Sequence, residues 1–360
     1  MLQLTPLPLE TEVPAFTLVW FLLIAVLWIG YFFLECFDYG VAMLIKLLGR
    51  DDKEKRVIVN TIGPLWDGNE VWLLTAGGAM FAAFPGWYAS TFSGLYLPLL
   101  LVLLGLILRG VAFEYRSKHH TSSYRSMLDW FAAIGSFLPA LVFGVGFANF
   151  VKGLPNDGTL WSGTFLGLFS PFALVGGLML VAICLFHGSA FLALKTAGTV
   201  HDKAKGFGTK VGWVTVALTA IFVLWQNLAY PAQSEFGDFR VLTWITAVLT
   251  VVALVVAVLM VMRDRDGWAF LCTGVSIVTL FAGIFLKMYG NIGFVQDEAV
   301  AVGERLNMLT AASSVTTLQI MTVAAVIFVP IVLAYQAWSY WVFHKRISTK
   351  SIPDDVEPAA

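Results

Sequence analysis

The sequence predicts an all-α integral membrane protein of about nine transmembrane helices. Two observations carry that prediction. Hydrophobic residues make up 59% of the 360 residues and charged residues only 12%, about half the share in soluble domains, and the mean hydropathy is +0.81. The apolar residues are also gathered into runs of about 20 or more, the length that crosses a bilayer as a helix. No charged stretch is long enough to form a separate soluble domain, so residues 1–360 read as a single polytopic domain, with 351–360 as a flexible cytoplasmic tail.

The runs fall at roughly 16–46, 57–84, 90–115, 127–151, 163–194, 211–231, 240–262, 267–289 and 318–343. No basic residue precedes Lys46, so the first run lacks the positive flank of a signal peptide and is expected to remain as a helix. The second run is interrupted by Pro64, Gly68 and charges. Such breaks are tolerated where neighbours satisfy the freed backbone groups. The connections after the odd-numbered helices and the segment after the last hold 17 of the 22 Lys and Arg residues. By the preference of basic loops for the inner side, the N-terminus is outside and the C-terminus in the cytoplasm. Trp87, Tyr88, Trp161, Tyr230, Trp338, Tyr340 and Trp341 lie near run ends and read as an interfacial aromatic belt. The longest outer connection, about 290–317, contains Asp297, Glu298, Glu304 and Arg305 and suits a cap or a partner contact.

Cys36, Cys184 and Cys272 lie inside apolar runs with no ligand spacing, so they read as small core residues. His187 is the histidine clearly inside an apolar run; two-histidine haem ligation would need another, so a satisfied core residue, or one facing a partner subunit, is the better reading. Lys287 is expected to snorkel to the outer interface. Gly77-Gly78 and Gly176-Gly177 read as sites of close helix packing. No phosphate-binding glycine loop, zinc motif or nucleophile elbow occurs.

Function is concentrated in the intramembrane charges, which are expensive at that depth. Glu35 and Asp38 share a face of the first helix, and Asp67 and Glu70 have the same spacing on the second. Arg109 and Glu114 lie near the inner end of the third, followed by Arg116 and Lys118. On unbroken helices Asp67 lies roughly 16 Å from Arg56, and Asp38 roughly 12 Å from Lys46, which puts these groups in the cytoplasmic half. Such carboxylates can pass protons, bind a cation, or pair with Arg109 to hold helices together. Pairing and proton transfer are compatible. Asp67 reads first as a proton carrier; for Glu35 and Glu70 the two roles weigh equally.

These residues also carry a family resemblance. Phe37-Asp38-Tyr39-Gly40, Trp66-Asp67-Gly68-Asn69-Glu70-Val71-Trp72, Leu74-Thr75-Ala76-Gly77-Gly78-Ala79, Phe113-Glu114-Tyr115-Arg116-Ser117-Lys118 and the run from Thr322 through Pro330 to Trp341 resemble subunit II of the cytochrome bd quinol oxidases, over about residues 20–350. The resemblance implies two four-helix bundles plus one additional helix, in a prokaryotic cytoplasmic membrane. It implies a complex with subunit I that oxidises quinol and reduces dioxygen to water. Two b-type haems and one d-type haem are expected on subunit I, with no catalytic residue, metal or covalent cofactor on this chain. Small accessory subunits, membrane lipid and a bound quinone or lipid are further expected partners; nucleic acid is not.

The family's proton route carries over as Lys118, Glu114 and Asp67, leading into subunit I. Glu114 and Glu35 stand where relatives often have Asp. Asp38 keeps the family's acid and is expected near the subunit boundary. Some relatives have Gln at position 70, which weakens Glu70 as a required carrier. The alternative reading is a proton-coupled secondary transporter with Asp67 and Glu70 at its site, for which broken helices in matching halves would be the signature.

Overall fold

The computed structural model describes residues 13–119, 121–158, 161–234, 236–296, 300 and 305–353. Asp297, Glu298 and Glu304 of the outer connection, and residues 354–360 of the expected tail, lie outside the described residues.

Eleven helices follow one another: α1 (Ala15–Leu48), α2 (Asp52–Ile62), α3 (Trp66–Ala83), α4 (Pro85–Gly94), α5 (Tyr96–Tyr115), α6 (Ser122–Lys152), α7 (Pro171–Lys195), α8 (Thr199–Ala229), α9 (Arg240–Met262), α10 (Asp266–Met288) and α11 (Val315–Val342). Eight of them, α1 and α5 to α11, are long and apolar enough to cross a membrane among the described residues. The predicted run without a counterpart among these eight is the second, whose longer helix is α3. Its 18 residues reach about 27 Å, but its first turns carry Asp67, Asn69 and Glu70. The count of nine is therefore approximate.

The second predicted run is two helices. Gly63, Pro64 and Leu65 separate α2 from α3, because Pro64 has no N–H to continue the ladder. The depth reckoned from Arg56 along an unbroken helix therefore does not apply to Asp67. Gly68 lies within α3 and causes no break. The third run is divided at Leu95, and α8, which fills the sixth run, begins at Thr199, well before residue 211.

Helices α1, α3, α5 and α6 form one bundle and α7 to α10 the other; they meet where α1 and α6 pack on α7. Helix α11 touches α1 and α3, and Leu318 is its one fully buried residue. The join between bundles is a close backbone crossing. A Cβ on Gly40 would lie 1.8 Å from the Cys184 carbonyl oxygen, so only glycine permits it. Gly176-Gly177 likewise face Gly144 and Leu141 of α6 at under 3.1 Å. Gly77-Gly78 do not: Gly78 has nothing within 4 Å and Gly77 only the Phe92 ring edge at 4.0 Å. They line an open groove instead.

One end of the molecule gathers the basic connections. Lys46 donates to Ser126 at 2.7 Å, Lys203 to Glu54 at 2.5 Å, and Arg346 to Asp266 at 2.8 Å. The segment after α11 runs back across this end, where Thr196 and Ile347 form a parallel bridge. At the other end β1 (Leu154–Asn156) pairs in parallel with β4 (Phe294–Gln296), and β2 (Gln233–Ser234) with β3 (Gly237–Asp238) in an antiparallel turn. The described part of the 290–317 connection caps this end, with Met308 fully buried and Ser313 N–H donating to Ala83 O at 2.8 Å. Lys287 donates to the carbonyls of Gln226 and Tyr230, at 3.1 and 2.6 Å, and so caps α8. Trp87 is not a lipid anchor: it is 2% exposed and stacks on Phe21.

Candidate functional site

The intramembrane charges divide into two groups. The first is a buried cluster between α1, α3 and α5. Arg109 is fully buried, pairs through Nη1 with the equally buried Glu35, and through Nη2 with Glu70 at 2.9 Å. A buried guanidinium without a carboxylate would be costly, and its planar fork suits two partners. Aromatic rings close the site around it: the Tyr39 ring lies 4.7 Å from Arg109 Cζ and the Trp66 ring 5.8 Å. The Tyr39 hydroxyl is hydrogen-bonded to that of Tyr31.

Asp38 joins the cluster through an amide rather than a cation. Asn69 Nδ2 donates to Asp38 Oδ2 at 2.6 Å. Asn69 Oδ1 accepts from Tyr340 at 2.8 Å and from Gln336 Nε2 at 3.2 Å, and Trp72 Nε1 donates to Gln336 Oε1 at 2.8 Å. Asn69, Trp72, Gln336 and Tyr340 thus connect the acids to α11. Sequence reasoning passed over Asn69 and Gln336 and assigned Tyr340 to the lipid belt. The available signal was an amide on each of two apolar helices, which seldom stays unpartnered in a membrane.

The second group is Asp67, Glu114 and Lys118. All three are exposed on this chain, and none has a side-chain ion pair or hydrogen bond among the described residues. Asp67 lies in the first turn of α3, where the helix terminus favours a negative charge. Its neighbour Trp66 meets Phe113, the neighbour of Glu114, edge-on at 5.4 Å. The two acids therefore flank one interhelical contact. Asp67 and Glu70 also line the groove of about 960 Å³ between α3, α4, α5 and α6, with Gly77, Gly78 and Phe92 on its wall.

A third network, absent from the sequence reading, fixes the basic end beside Glu114 and Lys118. Fully buried Asp129 takes Arg116 Nε at 2.6 Å and Lys55 at 3.1 Å; Asp52 takes Arg116 Nη2 at 2.9 Å and Arg125 at 2.7 Å. Burial would push the Arg116 pKa down, but its hydrogen bonds and charge pairing with Asp129 and Asp52 raise it. This holds the end of α5 against α2 and α6.

His187 is not placed to ligate a haem. His187 is fully buried and stacked on Phe270 at 4.5 Å; its Nδ1 meets Thr273 Oγ1 at 2.7 Å and its Nε2 the Phe33 carbonyl at 3.2 Å. Both ring nitrogens are therefore occupied. No group of three or more His, Cys, Asp or Glu side chains among the described residues could hold a metal ion.

The profile of the family described as cytochrome bd terminal oxidase subunit II matches residues 16–343. The chain belongs to that family. It is 38% identical over 336 residues to the cytochrome bd ubiquinol oxidase subunit 2 of Bacillus subtilis, covering 92% of this chain and 97% of that one. It is 36% identical over 365 residues to the cytochrome bd-I ubiquinol oxidase subunit 2 of Escherichia coli, covering 93% and 96%. The solved bd oxidase of Geobacillus thermodenitrificans shares the fold, with a TM-score of 0.73 at 14% identity, over 92% of this chain and 99% of that one. A bd-oxidase subunit II is thus a multi-pass bacterial membrane protein whose polar cluster and exposed acids must be read as parts of a larger complex.

Proposed function

We propose that this chain serves, with a subunit I, in a quinol-oxidising, dioxygen-reducing terminal oxidase, and that it supplies the route by which cytoplasmic protons reach the partner. The relatives' names carry the ubiquinol oxidase activity. The haems, two b-type and one d-type, belong on subunit I in this reading. When bound there they supply the electron transfer and dioxygen reduction.

One observation carries the proton route: the acids differ in freedom. Glu35 and Glu70 are engaged by Arg109, and Asp38 by Asn69. Asp67 and Glu114 have no such partner among the described residues and lie on the chain surface. A carboxylate exposed on a membrane protein's helices needs water or a partner subunit beside it, and a proton carrier needs just that access. Lys118, at the basic end, provides the inlet; Glu114 and Asp67 pass protons onward. The side gathering the basic connections is then the cytoplasm, with the N-terminus outside. The groove beside Asp67 and Glu70 suits a lipid or quinone tail, its lining being mostly apolar. The transporter reading lacks its signature, since α7 to α10 are unbroken helices and show no counterpart of the Gly63–Leu65 break.

Asp67→Asn and Glu114→Gln in the assembled complex test the route. Each should slow dioxygen consumption by about tenfold or more, roughly 1.4 kcal/mol per factor of ten, with haem content unchanged. Normal turnover in both variants would assign these acids to assembly alone.

A further inference from the structure

Three carboxylates share the buried cluster with one guanidinium. Glu35 and Asp38 come from α1, Glu70 from α3 and Arg109 from α5. Arg109 spends its charge on Glu35 and Glu70. No cation makes an ion pair or hydrogen bond with Asp38 among the described residues, although Arg109 stands near enough to attract it. Its Oδ2 accepts from Asn69, and its Oδ1 is buried with no hydrogen-bond partner. Around it stand Glu35 and Tyr39 on its own helix, Glu70 on α3, Arg109 on α5 and Tyr340 on α11; His187, on α7, is engaged elsewhere. Fully ionised, the cluster would hold two negative charges in excess. A buried carboxylate facing only an amide costs more than a carboxyl group that keeps its proton.

We infer that Asp38 is a buried proton-holding site, and that Asn69 couples it to the seating of α11. The Asn69 amide has one oxygen and one nitrogen to commit. The nitrogen goes to Asp38, while the oxygen takes Tyr340 and Gln336 of α11. Linked hydrogen bonds polarise one another, so loss of the α11 donors weakens what Asn69 gives to Asp38. Within this chain little apolar burial fixes helix α11: it has one fully buried residue. At its far end Trp20 Nε1 donates to Leu318 O and Thr322 Oγ1, both at 3.0 Å, and at its C-terminus Lys195 donates to the Phe343 carbonyl. Asn69 is a positioning residue in this scheme.

Infrared spectroscopy of the intact complex, prepared with carboxyl-labelled ¹³C-aspartate, tests the inference. The C=O stretch of a protonated carboxyl group should be present at neutral pH and shift with the label. Asp38→Asn should remove that band. Asp38→Glu serves where Asp38→Asn does not assemble, because the glutamate carries no label. The double variant Tyr340→Phe with Gln336→Leu should move the band without removing it. A wild-type complex with no label-sensitive band overturns the proton site before any variant is made, as does a band that survives loss of Asp38. A band indifferent to the α11 double variant overturns the coupling. Asp67 and Glu114 take no part, so failure here leaves the proton route standing, and the reverse.

Discussion

Gly40 of α1 and Gly188 of α7 cross with no side chain between them. A Cβ on Gly188 would lie 2.6 Å from the Gly40 carbonyl carbon, and one on Gly40 2.9 Å from Gly188 Cα. The obstructing atoms are backbone, so neither helix can yield by a rotamer change. Overpacking against movable side chains costs about 1–3 kcal/mol, and a backbone clash at the seam of two bundles should reach the top of that range. Gly40→Ala and Gly188→Ala should each lower the thermal midpoint of the purified complex by several degrees. Gly78→Ala, which meets nothing in this chain, serves as the comparison for crowding within the subunit.

Arg109 holds Glu35 and Glu70 from the opposite wall of the first bundle. Removing only the cation leaves Glu35 as a buried, uncompensated acid. Breaking one side of such a pair costs about 3–5 kcal/mol, whereas replacing both sides with apolar groups of similar volume is often neutral. Arg109→Met should therefore sharply reduce assembled complex, and Arg109→Met with Glu35→Met should recover much of it. Complex yield and thermal midpoint in detergent make the comparison. Equal loss in the single and double variants would show that Arg109 does more than balance charge.

The membrane class and most helices were legible in the sequence because each span must be apolar over its whole length. The helices whose sequence obeys other demands were less legible. Pro64 divides the second run, but the sequence does not say whether helix resumes beyond it; α2 and α3 show that it does, on either side of a three-residue break. Asp67 and Glu70 share one helical spacing, and the sequence ranked Asp67 first as a proton carrier while leaving Glu70 evenly weighed between carrying and pairing. The structure separates them, since Asp67 is exposed while Glu70 faces Arg109. Side-chain direction depends on where α3 leans, which no local pattern encodes. Gly77-Gly78 and Gly176-Gly177 have the same local sequence signature, yet only the second pair has a helix against it. Tyr340 sits near a helix end as lipid anchors do, and only the nearness of α3 reveals its bond to Asn69.

Glu54 gives the basic end a pH dependence. Burial pushes its carboxyl up, but hydrogen bonds from Lys203 at 2.5 Å, the Arg50 N–H at 2.8 Å and Thr199 at 2.9 Å outweigh this and hold it below the ordinary carboxylate value. A depressed native pKa contributes stability that is present above the unfolded value, about 4.3, and lost as pH falls through the folded one. The stability difference between wild type and Glu54→Gln should therefore be constant from about pH 7 to pH 5 and shrink below about pH 4. Thermal midpoints across that range check it. A difference that grows on acidification would reverse the sign.

The proposed orientation makes opposite ends of the chain reachable from opposite sides. Lys345 and Lys118 lie at the end that gathers the basic connections, while Asp238 lies in the turn at the other. Cys36 and Cys184 are buried and Cys272 is partly so, so native thiols give a low background to an impermeant maleimide. Lys345→Cys and Lys118→Cys should label in inverted membrane vesicles and resist labelling in intact spheroplasts. Asp238→Cys should do the reverse. A chain labelled at Lys345→Cys from outside would place the basic end away from the cytoplasm. The inlet at Lys118 would then face the wrong proton reservoir, and the proton route through Glu114 and Asp67 would have to be abandoned along with the orientation.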